Sequence, residues 1–258
     1  MRIVSLLENT THREDIGAEH GLSLYIEANG YRILFDMGQT DLFARNAQSM
    51  GIDLSQVDLA ILSHGHYDHA GGLLHFLDCN AHAPVYVHSA ARGDYRHGEA
   101  RYIGIDPSLK RHPRLIFGEG ERVIGEGLTL LDCNDRPRLH DAGSFGLEEW
   151  IDGMLVPDRF LHEQYLLIEE AGRRVLISGC SHKGIADIVR WFEPDVLIGG
   201  FHLSTLEDEA RLGEIADLLG SFSTRYYTCH CTGERQFAFL RERVKDLFYL
   251  SAGEEIQL

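Results

Sequence analysis

The 258-residue chain has few basic residues, few cysteines and no long apolar run. Its 24 lysines and arginines stand against 40 acidic residues, which gives a formal net charge of −16 at pH 7. Proteins that bind nucleic acid or anionic lipid need a basic surface, so this balance disfavours both kinds of partner. The longest apolar runs, near residues 57–62 and 196–198, have the length of strands and are too short for a membrane span. We therefore expect neither nucleic acid nor a membrane as a partner.

Five cysteines in a chain of this length do not form the disulfide framework of a small secreted protein. The N-terminal residues reach an acid at Glu8 and carry no long apolar core with a cleavage site, which predicts a cytoplasmic protein. A chain of this size buries roughly 70–75% of its unfolded surface, so its core needs no covalent staple. We expect one domain over residues 1–258, and the sequence leaves a homo-oligomer open.

Strand and helix patterns alternate along most of the chain. The β-rich runs 23–27 and 31–35 are joined by Asn29-Gly30, which suits a tight hairpin, and residues 165–178 repeat this pattern about Ala171-Gly172. Further patterns predict helices at 41–50, 71–77, 184–192, 205–219 and 234–244, and strands at 57–62, 84–88, 195–199 and 225–228. Two sheet-forming halves with outer helices predict an α/β fold, a four-layered αββα sandwich. The looser pattern of residues 89–158 predicts an insertion or lid near the active site.

Histidines are the most unusual feature of the sequence, since three of the fifteen lie within residues 64–69. His64 and His66 lie two apart in an extended segment at the end of a predicted strand, so both can point to one side. Asp68 and His69 follow after the chain has begun to turn, so they approach the same pocket from another angle. Imidazole suits zinc, iron and similar metals, and a carboxylate adds a harder, charged ligand. The segment therefore predicts a metal site with room for a second ion.

This motif resembles the signature His-x-His-x-Asp-His of the metallo-β-lactamase superfamily, which is met in full at His64, His66, Asp68 and His69. The chain also looks like the subfamily named 7,8-dihydropterin-6-methyl-4-(β-D-ribofuranosyl)aminobenzene-5′-phosphate synthase. That narrower resemblance rests on Asn9 and on the runs at 19–24, 34–39, 179–185, 199–203 and 229–233. It covers most of the chain and implies the metallo-β-lactamase fold with a one- or two-metal hydrolytic centre at the sheet edges.

The resemblance also points to further metal ligands. Cys180 ends a predicted strand where many relatives have an aspartate between the two metals, and a thiolate there can ligate. His182, two residues on, is a second candidate, and His230 matches the family's last ligand position. The third ligand of the first metal stays open between His162, Glu163 and His182, because the family's Gly-His-x-x-Gly turn is missing here.

Two further side chains have predicted roles beside the metals. His202 ends another strand and is a candidate for contact with the substrate, for orienting a ligand or for protonating a leaving group. Asp36, which follows a strand, is expected to fix a ligand histidine. Cys229 and Cys231 flank His230 without the spacing of a structural zinc site, so we interpret them as packing residues.

The expected cofactor is one or two divalent metal ions. Zinc is the first choice, and manganese and iron are alternatives that these ligands do not separate. Metal-bound water ionises near neutral pH, which predicts a hydrolase acting on an ester or phosphoester of a small molecule. Asp68 would bind one ion and orient the nucleophile. The substrate is expected to be a small molecule. Five basic residues of the insertion would favour an anionic or phosphorylated substrate if they face the site, and they are Arg92, Arg96, Arg101, Lys110 and Arg111. A solvated surface is the simpler interpretation of these five residues.

Two alternatives to hydrolysis remain. The first is a synthase or transferase acting on a phosphorylated pterin precursor, as the subfamily name suggests, with Arg96, Arg101 and Tyr102 available to hold it. The second is a non-hydrolytic metal-loaded redox or sensing module that uses Cys180.

Overall fold

The computed structural model describes residues 1–140 and 143–258. The first part of the chain contains β1 (Arg2–Leu7), β2 (Ser23–Ala28), β3 (Tyr31–Phe35), α1 (Leu42–Ser49), β4 (Leu59–Ile61), α2 (Tyr67–Ala70), α3 (Leu73–Cys79), β5 (Val85–His88), β6 (Tyr95–His97), β7 (Arg101–Tyr102), β8 (Leu115–Gly118), β9 (Arg122–Gly125) and β10 (Leu128–Leu131). The second part contains β11 (Leu147–Ile151), β12 (Met154–Pro157), β13 (Tyr165–Glu170), β14 (Arg173–Ile177), α4 (Ile185–Phe192), β15 (Val196–Gly199), α5 (Glu209–Ser221), β16 (Arg225–Thr228), α6 (Glu234–Arg241), β17 (Leu247–Tyr249) and β18 (Glu255–Gln257). None of the described helices is long and apolar enough to cross a membrane.

Two seven-stranded sheets form the centre of the molecule. The first has the order β18-β1-β2-β3-β4-β5-β8 and is antiparallel from β18 to β3 and parallel from β3 to β8. The second has the order β17-β16-β15-β14-β13-β10-β9 and is parallel from β17 to β14 and antiparallel from β14 to β9. Both predicted hairpins are present, and Asn29 and Ala171 adopt the positive φ angles of 49° and 52° that their tight turns require.

Apolar side chains pack in three layers around the two sheets. Between the sheets, Ile26 and Ile33 of the first sheet share one fully buried cluster with Ile168 and Val175 of the second. The outer face of the first sheet packs against α1 and α3, and that of the second against α4, α5 and α6. This arrangement is the predicted four-layered αββα sandwich, since each sheet buries one face against the other sheet and one against helices.

The segment 89–158 divides between three sheets. β8 pairs with β5 in the first large sheet, and β9 and β10 form the edge of the second, so residues 115–131 belong to the sandwich. β6, β7, β11 and β12 form a separate four-stranded sheet in the order β12-β11-β6-β7, which we call the roof sheet. The hypothesis of an insertion or lid then applies to the roof sheet alone.

Several element boundaries differ from the sequence-based prediction. Helix α5 begins at Glu209 and not at Thr205, because the Asp208 carboxylate accepts the backbone N–H groups of Ala210 and Arg211 and so caps the helix there. β4 covers only residues 59–61 of the predicted 57–62. The sequence patterns also did not predict β1, β17 or β18, which complete the edges of the two sheets.

Candidate metal centre

The carboxyl ends of parallel strands from both sheets meet at one edge of the sandwich. In the first sheet, β3 leads to Asp36 and β4 leads to Ser63 and His64; in the second, β14 leads to Cys180 and β16 to His230. All predicted metal-binding side chains lie at this edge and are buried; they are His64, His66, Asp68, His69, Cys180, His182 and His230. The short helix α2 contributes Asp68 and His69.

The backbone around this edge adopts conformations that a regular strand or helix does not use. Asp36, Ser181, His202 and His230 have φ angles of 59°, 60°, 51° and 50°, in the left-handed region that non-glycine residues seldom enter. Residues in such conformations cost free energy and collect at functional sites, where the surrounding structure holds them. Four such residues therefore lie at this edge, and three of them, Asp36, His202 and His230, are predicted site residues.

Two glycines allow the helices after the motif to lie close to the site. A Cβ atom on Gly71 would overlap the carbonyl oxygen of Gln39, and one on Gly72 would overlap that of Met37. No side chain fits at either position without moving the backbone that precedes α1. This explains why a Gly-Gly pair follows the histidine motif.

His64, His66 and His182 form what we call the histidine group. Their potential ligand atoms all lie within 4.8 Å of one another, and His64 Nε2 is 3.3 Å from His182 Nε2. The ring of His182 stacks on Phe160 at a centroid distance of 4.2 Å and an interplanar angle of 8°. The three rings thus face a common point from three directions.

The hydrogen-bond network assigns the protons of His64 and His66. Ser63 Oγ donates to Asp36 Oδ2 at 2.7 Å, so it accepts the Nδ1–H of His64 at 2.8 Å and leaves the Nε2 lone pair inward. His66 Nε2 lies 3.3 Å from Asp158 Oδ2 and donates to it, which leaves the Nδ1 lone pair. The Nδ1 atom of His182 is buried and has no hydrogen-bond partner within residues 1–140 and 143–258.

Asp68, His69, Cys180 and His230 form a second cluster, which we call the mixed group. His69 Nε2 lies 3.1 Å from Cys180 Sγ and 3.2 Å from His230 Nε2. Asp68 Oδ2 is 3.4 Å from His230 Nε2 and 3.7 Å from His69 Nε2. The ring centroids of His64 and His69 are only 4.1 Å apart, so the two groups are adjacent.

Both histidines of the mixed group are held from outside through their second ring nitrogen. His69 Nδ1–H donates to Asp36 Oδ2 at 2.7 Å, and His230 Nδ1–H donates to Asn9 Oδ1 at 2.8 Å. Such outer partners fix the tautomer and leave the Nε2 atoms to a metal. His20 is 3.2 Å from Asp68 Oδ2 through Nε2, while its Nδ1 faces the Asn9 amide, so it donates to the carboxylate.

This donor set fits a metal ion. The Nε2 lone pairs of His69 and His230 face each other at 3.2 Å, an arrangement that is repulsive unless a cation lies between the nitrogens. Without a metal, a proton on His69 relieves this repulsion. Burial lowers the pKa of His69, but Asp36 and Asp68 outweigh burial and raise the pKa to about 9. The residues present thus suit a cation of the nitrogen- and sulfur-binding class.

The electrostatics of the site favour charge on the carboxylate and neutrality on the histidine group. Burial would raise the pKa of Asp68, but the positive His69 and a hydrogen bond from His20 hold that pKa well below its usual range. Burial lowers the pKa of both His64 and His182 well below the ordinary value. Metal ligands must be deprotonated, so these shifts favour binding.

Of the three residues left open as a third ligand, only His182 has a ring nitrogen directed at His64 and His66. His162 Nδ1 accepts the Gly65 N–H at 2.9 Å, so its Nε2–H donates to Asp158 at 3.1 Å and no lone pair remains. Glu163 accepts the backbone N–H groups of His182 and Lys183 at 2.7 and 3.1 Å and the Tyr165 hydroxyl. Glu163 therefore supports the loop that carries His182, whereas His162 holds Gly65 and Asp158.

The structure adds residues that the sequence reasoning did not assign to the site. Glu8, fully buried, accepts the His230 N–H at 3.0 Å, and Asp158 orients His66. The sequence assigned Asn9 no role beyond the family resemblance, and in the structure it accepts the Nδ1–H of His230. Cys229 is a packing residue as predicted, whereas Cys231 lies at the cavity wall and its Sγ accepts the His202 N–H at 3.2 Å.

A cavity of about 250 Å³ opens beside both groups. This volume lies below the roughly 300–1,000 Å³ of pockets for drug-sized ligands. His202 lines the cavity, with its ring 4.1 Å from the ring of His182 and 4.6 Å from that of Phe145. Its Nδ1 is buried without a hydrogen-bond partner among the described residues.

Comparison with known proteins gives matches along the whole chain. A family model described as the metallo-β-lactamase superfamily matches residues 16–221. Uncharacterized protein MJ0448 of Methanocaldococcus jannaschii is 32% identical over 240 residues, which cover 88% of this chain and 89% of that protein. A protein of the same organism named 7,8-dihydropterin-6-methyl-4-(β-D-ribofuranosyl)-aminobenzene-5′-phosphate synthase is 27% identical over 283 residues, which cover 100% of this chain and 96% of that protein.

A solved structure agrees with these matches. The crystal structure of Tm1679, described as a metal-dependent hydrolase of the β-lactamase superfamily, superposes with a TM-score of 0.84 and 29% identity. The superposition covers 100% of this chain and 99% of that chain. The similarity therefore includes both large sheets and the edge where the two groups lie.

Proposed function

Because the chain belongs to the metallo-β-lactamase superfamily, we propose that it is a metal-dependent hydrolase that cleaves an ester or phosphoester of a small molecule. Divalent ions in such a centre lower the pKa of bound water to about 7 and so supply hydroxide at neutral pH. Zinc is the first choice, because imidazole and thiolate donors suit it. We propose the histidine group and the mixed group as the ligands of two adjacent ions.

The observation that carries this proposal is the convergence of nitrogen, oxygen and sulfur donor atoms beside a cavity that His66, Asp68 and Cys180 line. The inward nitrogens of His64, His69 and His230 have their other ring nitrogens occupied by outer partners. A purely structural histidine normally uses both ring nitrogens, as His162 does. The site is also next to the cavity of about 250 Å³, so a small substrate can reach it.

Two side chains are proposed to act on the substrate or its nucleophile. Asp68, held by His20 at 3.2 Å, keeps a carboxylate oxygen directed at the mixed group and would bind an ion and orient the attacking water there. His202 lines the same cavity as Asp68, which makes its ring the candidate to protonate the leaving group. The stacked Phe160 holds the ring of His182 in place.

Activity of the zinc-loaded protein on a panel of small esters and phosphodiesters tests the proposal. We expect turnover by the wild type, and a loss of at least about 100-fold for Asp68→Asn, because the charged oxygen that orients the attacking water is removed. His202→Gln should lower kcat and leave KM nearly unchanged. The exposed His75 provides a matched control, and His75→Gln should keep full activity. An inactive, fully zinc-loaded wild type would contradict the proposal.

A second candidate is a synthase acting on a phosphorylated pterin precursor. It is favoured by the named synthase that matches 100% of this chain at 27% identity. The cavity of about 250 Å³ is small for a molecule with pterin, aminobenzene and ribose phosphate parts, which weighs toward the hydrolase. Turnover restricted to a pterin substrate, with none on the simple esters, would select the synthase.

A further inference from the structure

We propose that the inner face of the roof sheet is a receptor for an anionic group of the substrate, with Arg101 and His97 as its binding residues. The anion is a carboxylate or a phosphate attached to the reacting ester. This inference rests on the proposed function only in taking the cavity beside the metal centre as the substrate cavity. It names the substrate class of that same site.

The pairing of the roof sheet places these two side chains together. His97 of β6 is the register partner of Arg101 of β7, and Leu147 of β11 is the partner of His97 on the other side. Directly paired residues point to the same face of a sheet. His97, Arg101 and Leu147 therefore form one row across the sheet, and all three line the cavity.

The same face continues to the metal centre. Tyr95, two residues before His97, must point to the same side, and its ring lies 4.0 Å from that of His162 and 6.0 Å from that of His66. Ile103, two residues after Arg101, also lines the cavity. One face of the roof sheet thus reaches from the histidine group to Arg101, and a substrate held at the metals lies under it.

Arg101 differs from the other basic residues of this segment in its partners. The guanidinium of Arg96 binds the Asp94 carboxylate through two nitrogens at 2.8 and 3.0 Å, on the opposite face. Arg92 lies over the Phe117 ring at 3.6 Å, and Lys110 donates to two backbone carbonyl oxygens at 2.9 and 2.8 Å. Arg111 is exposed and does not line the cavity.

Arg101 is oriented toward the cavity by a neutral partner. Its Nη2 donates to the Tyr67 hydroxyl at 2.8 Å, and its guanidinium lies 5.1 Å from the centre of the Tyr67 ring. Within residues 1–140 and 143–258 no carboxylate forms a salt bridge with Arg101. The hydroxyl positions the guanidinium without neutralising it, and a guanidinium fork matches carboxylate and phosphate oxygens.

Binding of rigid phosphonates to the zinc-loaded protein, measured by calorimetry, tests the receptor without turnover. The probes are phenylphosphonate, para-carboxyphenylphosphonate and para-phenylenediphosphonate, which differ only in the second anionic group. We expect at least one doubly anionic probe to bind about tenfold or more tightly than phenylphosphonate, as a charged hydrogen bond gives. The probe with the larger gain tells whether carboxylate or phosphate is preferred.

Variants assign the gain to Arg101. Arg101→Gln should reduce it to about twofold or less, and Arg101→Lys should keep part of it, while the zinc content stays that of the wild type. The matched control Arg96→Gln removes the same charge from the other face and should leave the gain intact. Equal binding of all three probes by the wild type, or equal losses in Arg101→Gln and Arg96→Gln, would overturn the proposal. A retained gain in a protein that hydrolyses nothing would contradict only the proposed function.

Discussion

The histidine group and the mixed group differ in how their side chains are held from outside. In the mixed group, Asp36 fixes His69, Asn9 fixes His230 and His20 fixes Asp68. In the histidine group, Ser63 and Asp158 fix His64 and His66, but the Nδ1 of His182 has no partner among the described residues. Outer partners set the tautomer and orientation of a ligand, so the mixed group is the more preorganised of the two.

The partners also come from different parts of the fold. Those of the mixed group follow strands β1 and β3 of the first sheet or lie in the loop between β1 and β2. The partner of His66, Asp158, lies directly after β12 of the roof sheet. A change in the roof sheet therefore reaches the histidine group first, while the mixed group depends on the sandwich itself.

Asp36→Ala should have the largest effect. The fully buried Asp36 carboxylate accepts His69 Nδ1–H, the Ser63 hydroxyl and the Ser63 N–H at 2.7 Å each, so its loss removes support from both groups. We expect zinc affinity to fall by about 100-fold and the free energy of unfolding to fall by about 3–5 kcal/mol. Chelator competition and urea unfolding measure the two effects, and Asp106→Ala in an exposed turn is the control. Unchanged zinc affinity would show that the outer partners do not matter.

Asp158→Ala should have a smaller and more local effect. It removes the partner of His66 Nε2 and of His162 Nε2, but leaves His69 and His230 with theirs. We expect zinc to bind the histidine group about tenfold more weakly, with the mixed group unaffected, because a single outer partner is lost. Stepwise titration with zinc resolves the two ions. A loss of zinc affinity at the mixed group, with the histidine group unaffected, would reverse the comparison.

Cys180→Ser tests which group contains the thiolate. Cys180 Sγ is 3.1 Å from His69 Nε2, so cobalt bound at the mixed group should show a sulfur-to-cobalt charge-transfer band that this variant lacks. Cys229→Ser, a change in the apolar core between the sheets, should keep the band. A band that persists in Cys180→Ser would exclude Cys180 as a ligand.

A change at the His88–Asp132 pair should have the smallest effect on stability. This pair is a buried histidine and carboxylate outside both metal-binding groups. His88 Nδ1 accepts the Ala90 N–H, so Nε2–H donates to Asp132 at 2.9 Å and no lone pair remains. Burial would raise the pKa of Asp132, but His88 and the N–H groups of Asn134 and Gly120 outweigh it and lower the pKa.

This pKa shift fixes the sign of a pH dependence. The carboxylate stabilises the fold above its unfolded pKa of about 3.9, and this contribution is lost progressively as pH falls from that value through the lower pKa of the folded state. Asp132→Asn should therefore cost about 1–2 kcal/mol at pH 7 and less at pH 3, by urea unfolding at both values. Zinc affinity should not change. An equal cost at the two pH values would contradict the assignment of charge.

The sequence predicted the parts of the site that local spacing determines. The run from His64 to His69 is contiguous, and the hairpins and strand ends that carry it follow from alternation and turn residues. It did not separate His182 from His162, because the difference depends on one contact, the Gly65 N–H on His162 Nδ1, across 97 residues. Glu8 is hidden for the same reason, since its partner His230 is 222 residues away.

The metal content of the wild type and three variants tests the central claim most directly. Wild type purified without added metal, and again after dialysis against zinc, should contain one or two divalent ions per chain by elemental analysis. His66→Ala and Asp68→Ala, one from each group, should each lose metal while keeping the fold by circular dichroism, and exposed His75→Ala should keep it. Full occupancy in both site variants, or a wild type that takes up no metal, would contradict the account.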